Sequence, residues 1–354
     1  MSDSSPLFVA SDVHGHCDAL VEALRERGLV GGGAEWTGGD ARLWILGDLF
    51  DRGEQGVAVV RLLRRLADEA AGEGGHVDTL IGNHEVLLLG SKQFGDGRFI
   101  DVDGQERQFL HWWVLNGGYE ADLGELTDDE IEWLRTRRVV HLVGRSLLMH
   151  SDTESYLGYG RSTEAVNAAA GMVLASDEPE EWWQLFRELT RRHEFMGQDG
   201  PARARGMLRS FGGEELVHGH STIPDTTGLN PSEVTEARRY CDDLVLNVDG
   251  GVYQGGRCLV VRLNLIPPSA GVVESADPLG RARLFAGCRR TFSEWPGRGG
   301  RESRLPLSRR AARFVSPSCP ARSAVGSGRA SGALAPARRL NSFVSHIRHH
   351  EAAS

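Results

Sequence analysis

The sequence predicts an α/β fold, and three observations lead there. Short apolar runs alternate with segments whose apolar residues recur at helical spacing. Several of those runs lead straight into clusters of Asp, His and Asn. The composition, with 40% hydrophobic and 25% charged residues over 354 positions, suits a soluble chain that can bury a core without disulfides.

Residues 7–10 form the first apolar run and read as a buried strand. Leu20, Val21 and Leu24 then recur at helical spacing over 18–27, and Gly28 is a plausible stop. Residues 43–46 read as a second strand, 57–71 as a second amphipathic helix and 77–81 as a third strand. A third helix opens over 86–89. This alternation argues for a sheet with crossover helices, doubly wound in its simplest form. Residues 93–138 read as a helical insertion beside the sheet. It contains a Gly/Asp-rich loop, a tryptophan-bearing helix, a Gly117-Gly118 break and a capping box at Thr127–Glu130. A strand pair turning at Gly144 occupies 139–150, helices fill most of 163–211, and Leu216-Val217 is a short strand. Two strands around Gly250-Gly251 account for 244–263.

After Pro267-Pro268 the character changes. A catalytic domain over 1–268 and an Arg/Ser/Ala/Gly/Pro-rich tail over 269–354 are expected, the tail disordered from about Gly297. From Gly271 onward 15 arginines face 5 acids, about +10, so the rest carries about -19 of the net -9. Lys92 is the sole lysine. The five cysteines are scattered with no CxxC pair, which fits free thiols in a reducing compartment. The N-terminus lacks a signal-peptide pattern and no stretch reaches membrane-span length, so the expected location is the cytoplasm, with no membrane partner. The basic tail has no aromatic or motif support for nucleic acid, and none is expected.

The chemistry lies at the strand ends. The first run leads into Asp12, His14 and Gly15. The second leads into Gly47, Asp48, Asp51, Arg52 and Gly53. The third leads into Gly82, Asn83, His84 and Glu85. Later strands lead into His150 and into His218-Gly219-His220. Ligand sites in open α/β sheets gather beyond the carboxyl ends of strands, so these clusters are expected to converge. Oxygen and imidazole donors suit manganese, iron or zinc rather than a thiolate site. A carboxylate such as Asp48 can bridge two divalent ions, which polarise phosphoryl oxygens and activate a water. The leaving alkoxide needs a proton, and His84 is the candidate donor. Asp51 is placed to orient that imidazole and raise its pKa. Arg52 offers a planar fork for phosphate oxygens.

These blocks, Asp12-x-His14-Gly15, Gly47-Asp48-x-x-Asp51-Arg52-Gly53, Gly82-Asn83-His84-Glu85, His150 and Gly219-His220, resemble the phosphoprotein phosphatase branch of the calcineurin-like metallophosphoesterases. The resemblance covers about 7–263. It implies a β-sandwich of two mixed sheets flanked by helices. It also implies that Asp12, His14 and Asp48 hold one metal, and Asp48, Asn83, His150 and His220 a second. Manganese is the first choice of ion, iron or zinc the alternatives. His84 with Asp51 would form the acid pair, Arg52 would bind phosphate, and Tyr253 would approach the substrate. The branch's usual activity is hydrolysis of phosphoserine or phosphothreonine in proteins. Symmetrical diadenosine tetraphosphate hydrolases share the motifs and keep a small phosphoester open as substrate. A non-catalytic binding module on the same fold is the reading from another class.

The sequence departs from the pattern at Ser151-Asp152 after His150, and the arginine common after the Asn-His-Glu block is missing. No second phosphate-binding arginine is identified; Arg205, Arg209, Arg98 and Arg161 are candidates. His218 reads as structural before ligand. Trp112, Trp113, Trp182 and Trp183 read as packing residues, the first two also as a wall of the substrate cleft.

Overall fold

A computed structural model describes residues 5–263. The boundary at 268/269 and the expected tail lie outside the described residues, as does any oligomeric state.

Strand β1 (Leu7–Ala10) is followed by α1 (Cys17–Glu26), β2 (Arg42–Ile45), α2 (Gly56–Gly72), β3 (His76–Thr79) and α3 (Asn83–Phe94). The insertion contains β4 (Phe99–Ile100), β5 (Glu106–Arg107), α4 (Phe109–Leu115), α5 (Glu120–Glu125) and α6 (Asp128–Arg135). Strands β6 (Val140–Val143) and β7 (Ser146–Met149) come next, then α7 (Thr163–Leu174), α8 (Pro179–Thr190) and α9 (Gly200–Phe211). The described chain closes with β8 (Glu215–His218), α10 (Ile223–Thr227), β9 (Arg238–Tyr240), β10 (Val245–Asn247) and β11 (Val261–Leu263).

The strands form two mixed main sheets, ordered β11-β1-β2-β3 and β6-β7-β8-β10-β9. Strands β1, β2 and β3 run parallel, as do β7, β8 and β10. Edge strands β11, β6 and β9 are antiparallel to their neighbours. Leu7, Val9, Trp44 and Leu46 of the first sheet pack with Leu148, Val217 and Leu246 of the second in one buried cluster. The doubly wound reading is therefore corrected to a two-sheet sandwich, as the family resemblance implied. The reason is chain path: β6–β7 starts a second sheet instead of extending the first, and among the described residues only the isolated bridge Leu80–Arg138 pairs backbone between their neighbourhoods.

Two local expectations change. The insertion is not purely helical, because β4 and β5 form a short hairpin. Asp101 closes it, accepting from the Asp103 and Gln105 amides and pairing with Arg107 at 2.7 Å. The two strands over 244–263 lie in different sheets, β10 in the second and β11 in the first. Among the described residues no helix is long and apolar enough to cross a membrane.

Candidate metal centre

Parallel strands share a carboxyl end, so the loops after β1 and β2 lie side by side. The Asp12 amide donates to Gly47 O at 3.1 Å, His14 to Asp48 O at 2.9 Å and Gly15 to Leu49 O at 2.8 Å. Glu85 joins the third loop to the second. Its carboxylate accepts from the amides of Asp48, Leu49 and Gly82 at 2.7–2.8 Å, the last of these at the N-cap of α3. Burial, with the nearby charge of Asp48, pushes the Glu85 carboxyl up to about 7. Gly82 sits so close to this loop that a Cβ there would collide with Asp48 Oδ1.

The functional residues adopt unusual backbone. Asp12, His14, Asp48, Asp51, Arg52 and His220 all have φ between 44° and 68°. That left-handed region costs a non-glycine residue of order 1–3 kcal/mol, and such strain collects at functional sites.

The expected ligands converge. Asp12, Asp48, His150 and His220 place one donor atom each within 4.8 Å of one another, as do His14, Asp48 and His84. Asp48 belongs to both groups. Its Oδ2 lies 3.7 Å from His14 Nε2, and its Oδ1 lies 3.4 Å from His150 Nε2. His14 Nε2 also stands 3.8 Å from Asp12 Oδ1, and Asn83 Oδ1 lies 2.9 Å from His150 Nε2. The six expected ligands lie around Asp48, but Asp12 groups with His150 and His220, and His84 joins His14, so these groups are divided differently from the two sets that the resemblance implied.

The imidazoles are aimed by their other nitrogens. His14 Nδ1 donates to Phe50 O at 2.9 Å and His150 Nδ1 to Leu46 O at 2.8 Å. Each leaves Nε2 with a lone pair facing the carboxylates. In His220 the roles reverse: Nε2 donates to Thr190 O at 3.0 Å, leaving Nδ1 for the site. His218 contacts Gly219 O and Tyr240 Oη through its two nitrogens, at 2.7 and 2.9 Å, and has none to offer.

This donor set fits a dinuclear divalent centre. Asp12 and Asp48 are each 1% exposed, and burial together with the charge of Asp12 drives the Asp48 carboxyl well up. Burial also holds His14 and His220 well below the ordinary imidazole range, ready as neutral ligands. Asp249, at the end of β10 and 1% exposed, leaves Oδ2 without a hydrogen-bond partner. Its own carboxyl is raised by burial and by Asp12 and Asp48.

Beside this centre, His84 Nδ1 meets Asp51 Oδ2 at 2.6 Å. Burial pushes Asp51 up to about 8. It also drives His84 well down, helped by the charges of Arg52, His150 and Arg192. The expectation that Asp51 raises the His84 pKa is corrected: burial and these cations set the shift downward. Arg52 reaches His14 Nε2 at 3.0 Å and His84 Nε2 at 3.2 Å, and its guanidinium lies 4.0 Å from the Tyr253 ring centre.

Of the four candidate arginines, Arg98 pairs with Glu106 and Arg205 with Asp242, both on the surface. Arg192, absent from that group, is exposed and exerts its charge on His84 and His220. It follows Thr190, whose carbonyl anchors His220. Only its place in the 190–194 turn reveals it, and that turn carries no motif.

Residues 5–224 match the calcineurin-like phosphoesterase family. The chain is 23% identical to Shewanella-like protein phosphatase 2 of Arabidopsis thaliana, over 79% of this chain and 80% of that protein. It is 28% identical to a symmetrical bis(5'-nucleosyl)-tetraphosphatase of Dechloromonas aromatica, over 41% of this chain and 42% of that one. In fold it is similar to the cold-active protein-tyrosine phosphatase of a psychrophilic Shewanella, with TM-score 0.55, 21% identity, and 73% and 75% of the two chains covered. The family match spans every residue from Asp12 to His220 assembled above, and the chain belongs to the calcineurin-like phosphoesterases, hydrolases of phosphoric esters.

Proposed function

We propose that this protein is a dinuclear-metal phosphatase that hydrolyses phosphoserine and phosphothreonine in proteins. The observation that carries it is the shared carboxylate Asp48, with the Asp51–His84 pair and Arg52 on one side of it. The Arabidopsis protein phosphatase supports a phosphoprotein as substrate, because that likeness runs over 80% of its length.

Asp12, His14, Asp48, Asn83, His150 and His220 would hold the ions, manganese by first choice. When bound, two such ions supply Lewis-acid polarisation of the phosphoryl oxygens and an activated water. Arg52 holds the phosphate oxygens through its fork of donors, and Arg192 adds charge near His84 and His220. Attack of water on phosphorus breaks the bond to the leaving oxygen. His84 Nε2 gives that oxygen its proton, while Asp51 keeps Nδ1 fixed. Tyr253, edge-on to His14 with ring centres 5.2 Å apart, stacks on the Arg52 guanidinium and limits its swing.

Dinucleoside polyphosphate hydrolysis is the second reading, supported by the Dechloromonas relative. Purified protein loaded with Mn²⁺ is to be assayed on a phosphoserine peptide, diadenosine tetraphosphate and p-nitrophenyl phosphate. Turnover of the peptide is expected. Turnover of the dinucleotide alone would install the second reading. No turnover of any substrate by metal-loaded protein would leave only a non-catalytic binding module. We place the protein in the cytoplasm, consistent with its unpaired cysteines among the described residues.

A further inference from the structure

Asp51 and Arg52 sit consecutively in the left-handed region, at φ 68° and 66°. Two adjacent strained residues need outside restraint to stay put. Some comes from their own loop, where the Gly53 amide donates to Asp51 O at 2.8 Å. The rest comes from the insertion, about 60 residues on. Trp113 Nε1 donates to Asp51 Oδ1 at 2.7 Å. The Arg52 amide donates to Gly117 O at 2.7 Å. Gly117 reaches that position with φ 89°, and Gly118 packs so tightly on the Trp113 ring that any Cβ would collide with it. Asp122 of the same insertion accepts from the Val57 amide at 3.1 Å, at the start of α2.

Trp113 is completely buried. A buried indole needs a partner for its N–H, and many side chains or carbonyls could serve. Here the partner is the oxygen of Asp51 that His84 does not use. Asp51 thus has one oxygen on the indole and one on the imidazole, and rotation of its carboxylate would break one or both contacts.

We propose that Trp113 is a positioning residue of the acid pair: its indole N–H fixes the Asp51 carboxylate and, through it, the plane of the His84 ring. The insertion therefore sets the aim of the proton donor, while the sheet loops set the metal ligands. This rests on the phosphatase reading, in which His84 protonates the leaving oxygen.

The test replaces Trp113 with benzothienylalanine, which keeps the bicyclic shape and puts sulfur where the N–H was. Rates are compared on an alkyl phosphate, whose leaving group needs a proton, and on p-nitrophenyl phosphate, whose leaving group departs as a stable anion. We expect a loss roughly tenfold greater on the alkyl ester, with bound metal unchanged. Equal losses on both esters, or none on either, would overturn the proposal and return Trp113 to packing alone. A second readout needs neither turnover nor the altered tryptophan. In ¹⁵N-labelled protein, Asp51→Ala should move the Trp113 indole proton upfield as its acceptor is removed; an unmoved resonance overturns the proposal. If the unaltered protein hydrolyses neither ester, the phosphatase reading fails, and the indole resonance alone decides whether Trp113 holds Asp51.

Discussion

The two sheets contribute to the centre by different physical means. On the first-sheet side, ligands are placed by backbone. Loops pair amide to carbonyl, Glu85 staples them, and five of the six left-handed functional residues lie here. On the second-sheet side, His150 and His220 are each pinned through one ring nitrogen to a carbonyl distant in sequence, Leu46 or Thr190, a device that His14 shares through Phe50 O, and the His220 amide is held by Asp12 Oδ2 at 2.7 Å. Backbone placement demands fixed spacings and glycines. Side-chain placement demands only that the right element pack nearby.

Substitutions can break that contrast, starting with the residue both sides share. Asp48→Asn should abolish metal-dependent turnover, a loss of about 10³ or more, and release both ions. Metal analysis of the purified variant checks this, and retention of two ions at full rate would refute the bridge. Next in size is the acid pair. His84→Asn should cost about 10²–10⁴ in kcat on an alkyl phosphate, while the first-sheet backbone stays intact by circular dichroism.

A smaller effect separates the two arginines. Arg192→Ala should raise KM for a phosphopeptide about tenfold with kcat little changed, as loss of a single charge contact does. Steady-state kinetics decide it, and an unchanged KM would remove Arg192 from the site.

The smallest effect is on stability. Asp51 and Glu85 are raised from 3.8 and 4.5 to about 8 and about 7. Groups raised in the folded state contribute stability that is full below their unfolded values and lost as pH rises through the folded ones. Metal-free protein should therefore melt at lower temperature as pH climbs from about 7 to about 8, above the range where the depressed imidazoles of His14, His84 and His220 act in the opposite sense. Asp51→Asn should flatten that slope. A slope of the opposite sign in calorimetry would contradict the burial argument.

The same contrast explains what could be read from sequence. Strands β1 to β3 and the ligands after them were legible, because a buried parallel strand is an apolar run and a tight loop needs its glycines. His150 and His220 stand out as histidines after apolar strands, but their assignment as ligands rests on the family resemblance, since one histidine after a strand says little. Arg192 and the orphaned Asp249 were not legible as site residues, because their approach depends on how a helix end and a β10 turn pack. The β4–β5 hairpin escaped because two-residue strands have no period. Trp113 looked like packing, and only its 2.7 Å contact with Asp51 ties it to the chemistry.

The left-handed backbone at Asp12, His14, Asp48, Asp51, Arg52 and His220 has one more consequence. At each, glycine would relieve strain that the present side chain sustains. Random mutagenesis screened for heat resistance alone should thus recover dead enzymes at these six codons. Survival of the fold and survival of catalysis are opposing selective pressures there, and a lineage released from the second would erode these positions first.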